Sequence, residues 1–223
     1  MASLSVEKAG GVRTGSLLLA CVDDHGSATH PYFGSEKLLG GPDATRNLAD
    51  AVHFLCALHG RHPGIVDLAA TRTVEAGART WLAAAAEAMA DERLLLNRLA
   101  VAAGPAPSTP GGASSEPAII AQRSALATLA QSDRKGCALG AALAFAADWV
   151  RIRAIIDAAA KRFGLDAAPS ALGGHDRLRA VAEEAGESPA TERALLFGAQ
   201  QLALQHRALW DLLEARQQAR RDG

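Results

Sequence analysis

The amino-acid sequence predicts an all-α protein, a single-domain bundle of about six mostly antiparallel helices. Of its 223 residues, 49% are hydrophobic and only 4% are aromatic, so alanine and leucine carry the apolar content. Both residues favour helices. The valine-, isoleucine- and tyrosine-rich runs typical of strands are largely missing. Apolar residues instead recur at intervals of three and four, which is the spacing of one helix face.

Charge and cysteine content exclude several classes of protein. The 23 basic and 24 acidic residues give a net charge of −1, so we expect no nucleic-acid partner. No apolar run reaches the roughly 20 residues of a membrane span, so we expect no membrane partner either. The three cysteines are widely separated, a pattern compatible with reduced thiols and a cytoplasmic location.

The N-terminal part of the chain shows little pattern. Residues 1–42 are glycine-rich, which predicts an irregular segment that packs on a bundle domain formed by residues 43–223. The first helix of that domain is predicted over residues 44–59. Asp43 is suited to the N-cap position, and Gly60 to the position just past the helix end.

The remaining chain alternates long helical patterns with joints rich in proline and glycine. Residues 104–116 are predicted to form an exposed, mobile loop, because prolines and glycines cannot supply the hydrogen bonds of regular structure. The periodic segments predict helices over residues 66–102, 116–132, 137–163 and 176–185, and a last helix after Ser188.

Three polar side chains interrupt apolar helix faces, and they are the most informative candidates for a site. They are Glu92, Asp148 and His206. A buried ionised group needs a cation, a hydrogen bond or a proton. One interpretation makes them structural ion pairs, Asp148 with Arg151 or an arginine of another helix, and Glu92 with a neighbour of Arg93 or with Arg123. The other gathers these side chains into one ligand pocket between helices.

Two short segments place metal-ligand residue types three positions apart. These are Asp50-Ala-Val-His53 and His59-Gly-Arg-His62. In layout the bundle resembles the ferritin-like di-iron proteins, whose helices supply glutamates and Glu-x-x-His pairs to a central site. That resemblance implies a metal site among Asp50, His53, His59 and His62. The chain departs from the family pattern because it contains no Glu-x-x-His, and Gly60 favours a helix end and turn at His59 and His62.

The layout also resembles haem-oxygenase-like bundles, which need one axial histidine. Several histidines could fill that role, so the sequence identifies no cofactor. They are His25, His30, His53, His59 and His206.

Two functional hypotheses follow from these observations. The preferred one is a non-catalytic helical domain that binds a small molecule or a partner, or that associates with itself as a homo-oligomer. The alternative is a metal- or haem-dependent oxidoreductase with its site between helices. No nucleophile elbow, phosphate-binding loop or dinucleotide-binding motif points to another chemistry.

Overall fold

The all-α prediction is confirmed. A computed structural model describes residues 7–106 and 112–222 of the chain. It is 79% helical, and the described residues include no strand. Within this part of the chain, no helix is both long and apolar enough to cross a membrane.

Nine α-helices and one 3-10 turn make up the described fold, and eight of the helices have seven residues or more. In chain order they are α1 (Glu7–His25), the 3-10 turn (Ser27–Thr29), α2 (Glu36–Leu39), α3 (Ala44–His59), α4 (Ile65–Arg72), α5 (Ala76–Ala102), α6 (Gly112–Ala130), α7 (Cys137–Phe163), α8 (His175–Ala185) and α9 (Pro189–Asp222).

The expected irregular N-terminal segment is largely helical. Helix α1 covers 19 of its residues, and its Leu18 and Val22 are buried in the core. One glycine of this segment has a packing role, since a Cβ atom on Gly15 would lie 2.5 Å from the backbone oxygen of Arg179 in α8. The glycine content that suggested irregular structure therefore allows two helices to touch.

The predicted helix over residues 66–102 is interrupted. Thr73 has an extended backbone (φ −95°, ψ 130°) and ends α4, and α5 begins three residues later. The buried Thr73 hydroxyl donates a hydrogen bond to the Ala69 carbonyl oxygen at 2.9 Å. The predicted loop over residues 104–116 is shorter than expected, because α6 begins at Gly112. Residues 107–111 of that prediction lie outside the described part of the chain.

Helix α7 lies at the centre of the bundle, and every residue from Cys137 to Trp149 is buried. Two glycines bring α7 and α9 into backbone contact. A Cβ atom on Gly140 would lie 2.0 Å from the Leu195 oxygen, and one on Gly198 would lie 2.1 Å from the Cys137 oxygen. Contacts advance in the same direction along both helices, from Gly140 beside Leu195 to Asp148 beside His206, so α7 and α9 run parallel. Between these two contacts lie about two turns of α7 and three turns of α9.

Candidate functional site

Asp148 is a fully hydrogen-bonded carboxylate in the core. His206 donates from Nδ1 to Asp148 Oδ2 at 2.7 Å. The Ser27 hydroxyl donates to the same oxygen at 2.6 Å, and the Ser27 backbone N–H donates to Oδ1 at 3.0 Å. All three residues are buried. Hydrogen-bond donors from the 3-10 turn and from α9 thus stabilise the Asp148 carboxylate on an apolar face of α7.

The turn after α1 comes unusually close to this carboxylate. A Cβ atom on Gly26 would lie 2.8 Å from Asp148 Oδ1. Glycine at this position therefore allows the Ser27 backbone N–H to reach the carboxylate. The contact fixes the start of the 3-10 turn against the middle of α7.

His59, the last residue of α3, lies against His206 inside an aromatic cluster. The centres of the two imidazole rings are 5.0 Å apart, and Phe145 and Trp149 lie 5.1 and 5.5 Å from the His59 ring. Burial, and then the electrostatic interaction with the neighbouring His206 imidazole, lower the pKa of His59 well below its usual value. The His59 imidazole is therefore neutral at pH 7. The Nε2 atoms of both histidines have no hydrogen-bond partner among the described residues.

Glu92 forms a second buried ion pair, with a different set of partners. Arg153 of α7 donates from Nη1 to Glu92 Oε1 at 2.7 Å and from Nε to Asp157 Oδ1 at 2.8 Å. It also donates from Nη2 to the backbone oxygen of Ala168. The second carboxylate oxygen of Glu92, Oε2, is buried and has no partner in the described part of the chain.

This ion pair borders a groove of about 310 Å³ between α5, α7 and residues 166–171. The charged side chains at its exposed rim are Asp91, Arg98 and Asp166, and none of them forms an ion pair with another described residue. Apolar side chains complete the lining, among them Leu94, Leu95 and Pro169. The groove therefore combines unpaired charges with apolar walls.

The arginines predicted as partners of the two buried acids are not the ones that the structure places there, and Asp148 has no arginine partner among the described residues. Asp148 pairs with His206 and Ser27, whereas Arg151 reaches the exposed Asp23 at 2.5 Å. The arginine beside Glu92 is Arg153 of α7 and not Arg123. The helical period identified the buried acids, but it could not show which helices would be their neighbours.

The metal candidates drawn from the di-iron resemblance do not come together. Asp50 is buried in an ion pair with Arg216 at 2.9 Å and also binds Arg220. His62 is exposed and lies 3.7 Å from Asp67. His53 lies on α3, one turn after Asp50. No group of three or more histidine, cysteine, aspartate or glutamate side chains in the described residues is arranged to hold a metal ion.

Sequence reasoning missed two residues that complete these sites. Ser27 lies in the glycine-rich segment that predicted no defined structure, so nothing marked it as a partner of Asp148. Arg153 lies on α7 between Ile152 and Ile155, and this arginine in an apolar part of the helix was the available signal in the sequence.

The fold and its two buried carboxylate sites define a helical-bundle protein with a polar centre and a charged lateral groove. Residues 22–221 match the model of a family of unknown function, DUF6975, and the chain belongs to this family. No curated protein and no solved structure matches the chain.

Proposed function

We propose that this protein is a non-catalytic binding domain whose groove beside Glu92 holds a small organic amine. The observation that carries the proposal is Glu92 Oε2, a buried carboxylate oxygen without a partner among the described residues, at the groove lining. Leaving such an acceptor unpaired costs stability. A ligand that donates an N–H group would remove that cost.

The charges around the groove favour a cationic ligand over an anionic one. Three carboxylates line it, on Asp91, Glu92 and Asp166. Of the two lining guanidinium groups, that of Arg153 is already engaged by Glu92 and Asp157, which leaves Arg98 as the one without an ion pair in the described residues. Carboxylates bind ammonium groups through charge-assisted hydrogen bonds.

The walls of the groove suit the carbon chain of such a ligand. Leu94, Leu95 and Pro169 present apolar surface between the charged groups. Small-molecule sites combine mostly apolar walls with a few polar groups that fix orientation, and their volumes start at about 300 Å³. A short aliphatic diamine matches both the size and the distribution of charge.

The separation of the two buried carboxylates supports binding over the alternative, a metal- or haem-dependent oxidoreductase. That alternative needs Glu92, Asp148 and His206 at one site, and the partners of Glu92 are different residues from those of Asp148 and His206. Self-association as a homo-oligomer stays a prediction from the sequence.

Calorimetric titration with three four-carbon molecules tests the proposal. We expect 1,4-diaminobutane to bind with one-to-one stoichiometry, because it carries ammonium groups. The neutral 1,4-butanediol and the anionic succinate should not bind. Equal binding of the diol would show that charge recognition is absent and would overturn the proposal.

Variants of the groove rim supply the matched comparison. Asp91→Asn and Asp166→Asn remove exposed charges and leave the Glu92–Arg153 ion pair in place, and each should weaken diamine binding about tenfold. Glu87→Gln removes an exposed charge from the same helix, outside the groove lining, and should leave affinity unchanged. Equal weakening by Glu87→Gln would mean that the diamine responds only to the overall charge of the protein.

A further inference from the structure

We propose that a pocket between α2, the start of α3 and the end of α9 binds a small free α-amino acid. The pocket has a volume of about 230 Å³. Its polar lining residues are Glu36, Lys37, Asp43, Asn47, Gln217 and Arg221. None of them lines the groove beside Glu92, so the inference does not rest on the proposed function.

A buried acceptor of this pocket has no partner. Gln217 of α9 is only 4% exposed, and its Oε1 atom forms no hydrogen bond with another described residue. Buried acceptors in proteins are almost always paired, so an unpaired oxygen on a pocket-lining residue indicates a bound donor. The ligand must therefore present an N–H or O–H group, because an amide oxygen can only accept.

Asn47, the other buried amide of the lining, is already held by the protein. Its Nδ2 donates to the Lys37 backbone oxygen at 2.8 Å, and its Oδ1 accepts from Arg220. Arg220 also binds Asp50 of α3. These contacts hold α2, α3 and α9 together around the pocket. Gln217 is then the lining amide whose oxygen is left for a ligand.

The charges around the pocket balance. Two are negative, on Glu36 and Asp43, and two are positive, on Lys37 and Arg221. None of the four forms an ion pair with another described residue. Asp43 stands at the N-cap of α3, but its side chain accepts no capping hydrogen bond in this part of the chain. Both charges of a zwitterion therefore find an opposite partner, whereas a singly charged molecule uses only half of the lining.

The size and polarity of the pocket select an α-amino acid among zwitterions. Sites for drug-sized ligands start at about 300 Å³, so this pocket takes a smaller molecule. Pro42 is the one apolar side chain in the described lining, which favours a ligand with a small or polar side chain. The ammonium group of such an amino acid donates to Gln217 and Asp43, and its carboxylate accepts from Arg221.

An NMR titration of the isotope-labelled, full-length protein tests the inference, with L-serine as the probe. We expect saturable shifts of the Gln217 side-chain amide and the Asp43 backbone amide, with a dissociation constant below about 1 mM. Ethanolamine lacks the carboxylate of L-serine, and glycerate has a hydroxyl group in place of the ammonium group. Each should bind about tenfold more weakly at these resonances, because each keeps only one of the two charges.

Variants of the lining identify the groups involved. Arg221→Gln and Asp43→Asn should each weaken L-serine binding about tenfold. Gln217→Met, which removes the acceptor at similar volume, should weaken it at least as much. Circular dichroism shows whether each variant is folded, and the two charge variants keep the test valid if Gln217→Met unfolds.

Arg193→Gln is the matched control. Arg193 is an exposed arginine of the same helix as Arg221, and it lies outside the pocket lining. This variant should bind L-serine as the wild type does. Equal weakening by Arg193→Gln and Arg221→Gln would mean that the amino acid responds only to the overall charge of the protein, and the inference would be wrong.

Three further results would overturn the inference. One is the absence of saturable shifts at Gln217 and Asp43 with L-serine. Another is equal binding of ethanolamine or glycerate, because the pocket would then recognise a single charge. The third is binding that survives Arg221→Gln and Asp43→Asn but is lost in Glu92→Gln, because L-serine would then occupy the groove beside Glu92.

Discussion

Asp148 and Glu92 are both buried carboxylates on long helices, but they differ in how many of their oxygens accept hydrogen bonds. Asp148 accepts hydrogen bonds from His206 and twice from Ser27, so both of its oxygens are used. Glu92 has one oxygen paired with Arg153 and a second oxygen without a partner in the described residues. Because an unpaired buried acceptor costs free energy, the fully bonded Asp148 has a structural role, whereas the half-bonded Glu92 keeps one acceptor for the amine that we propose as its ligand.

The positions of the donors reinforce this difference. Ser27 and His206 are 121 and 58 residues from Asp148 in sequence, so this carboxylate ties the turn after α1 and helix α9 to helix α7. The other groups that Arg153 binds beside Glu92, Asp157 and the Ala168 oxygen, lie on α7 itself or just after it. Glu92 also joins two helices, because Arg153 lies 61 residues away on α7. The difference is that Asp148 holds three elements together in the core, whereas Glu92 joins two elements beside the groove.

The largest effect is expected at Asp148. Asp148→Asn keeps the shape of the side chain but places an NH2 group against donors and removes the charge that His206 and Ser27 satisfy. We expect the free energy of unfolding to fall by about 3–5 kcal/mol, as when one partner of a buried pair is lost. Urea unfolding followed by circular dichroism measures it, with the exposed Asp23→Asn as control. A loss below about 1 kcal/mol would mean that Asp148 is not a structural clamp.

A smaller loss of stability is expected at Glu92. Glu92→Gln leaves Arg153 with two of its partners, Asp157 and the Ala168 oxygen, so its charge is not stranded. The free energy of unfolding should decrease by about 1–3 kcal/mol. The same urea titration checks it, and a loss as large as that of Asp148→Asn would remove the distinction between the two sites.

The polar centre should also respond to pH. The pKa of His59 in the folded protein lies well below 6.5, its usual value. Below about pH 6.5, His59 is protonated in the unfolded chain but stays neutral in the folded protein, so the free energy of unfolding falls as the pH decreases. The slope is at most about 1.4 kcal/mol per pH unit for one such group. Unfolding at pH 7.5 and 5.5 measures it, and His59→Gln, if folded, should show a shallower dependence.

The smallest expected effect is the coupling between the two carboxylates. Because Asp148 and Glu92 share no hydrogen-bond partner, their substitutions should add. A double-mutant cycle with Asp148→Asn and Glu92→Gln should give an interaction energy below about 0.5 kcal/mol. Coupling well above that value would favour a single shared site.

The fold class could be predicted because composition determines it. The predicted helix over residues 137–163 coincides with α7, whose alanine-rich first half is buried as its uniform apolarity requires. The break between α4 and α5 could not be predicted, because Thr73-Val74-Glu75 contains neither glycine nor proline. The helical course of α1 was also missed, since the role of Gly15 depends on contact with α8.

For the candidate site, the sequence predicted which polar residues are buried but not which residues they contact. The helical period placed Glu92, Asp148 and His206 on apolar faces, and all three are buried. Their partners depend on helix neighbours, which periodicity does not report. Arg151 and Arg153 illustrate this limit, because two residues rotate a side chain by about 200° around a helix. Arg151 therefore meets Asp23 at the surface, whereas Arg153 meets Glu92 inside.

Ligand-induced stabilisation tests the contrast between Asp148 and Glu92 most directly. The free energy of unfolding is measured with and without 1,4-diaminobutane, at a concentration one hundred times its dissociation constant for the wild type. The wild type and a folded Asp148→Asn variant should each gain about 2.7 kcal/mol. Glu92→Gln should gain much less, because the unpaired carboxylate oxygen that receives the amine is gone. Equal gains in all three proteins, or loss of the gain in Asp148→Asn with its retention in Glu92→Gln, would contradict the account.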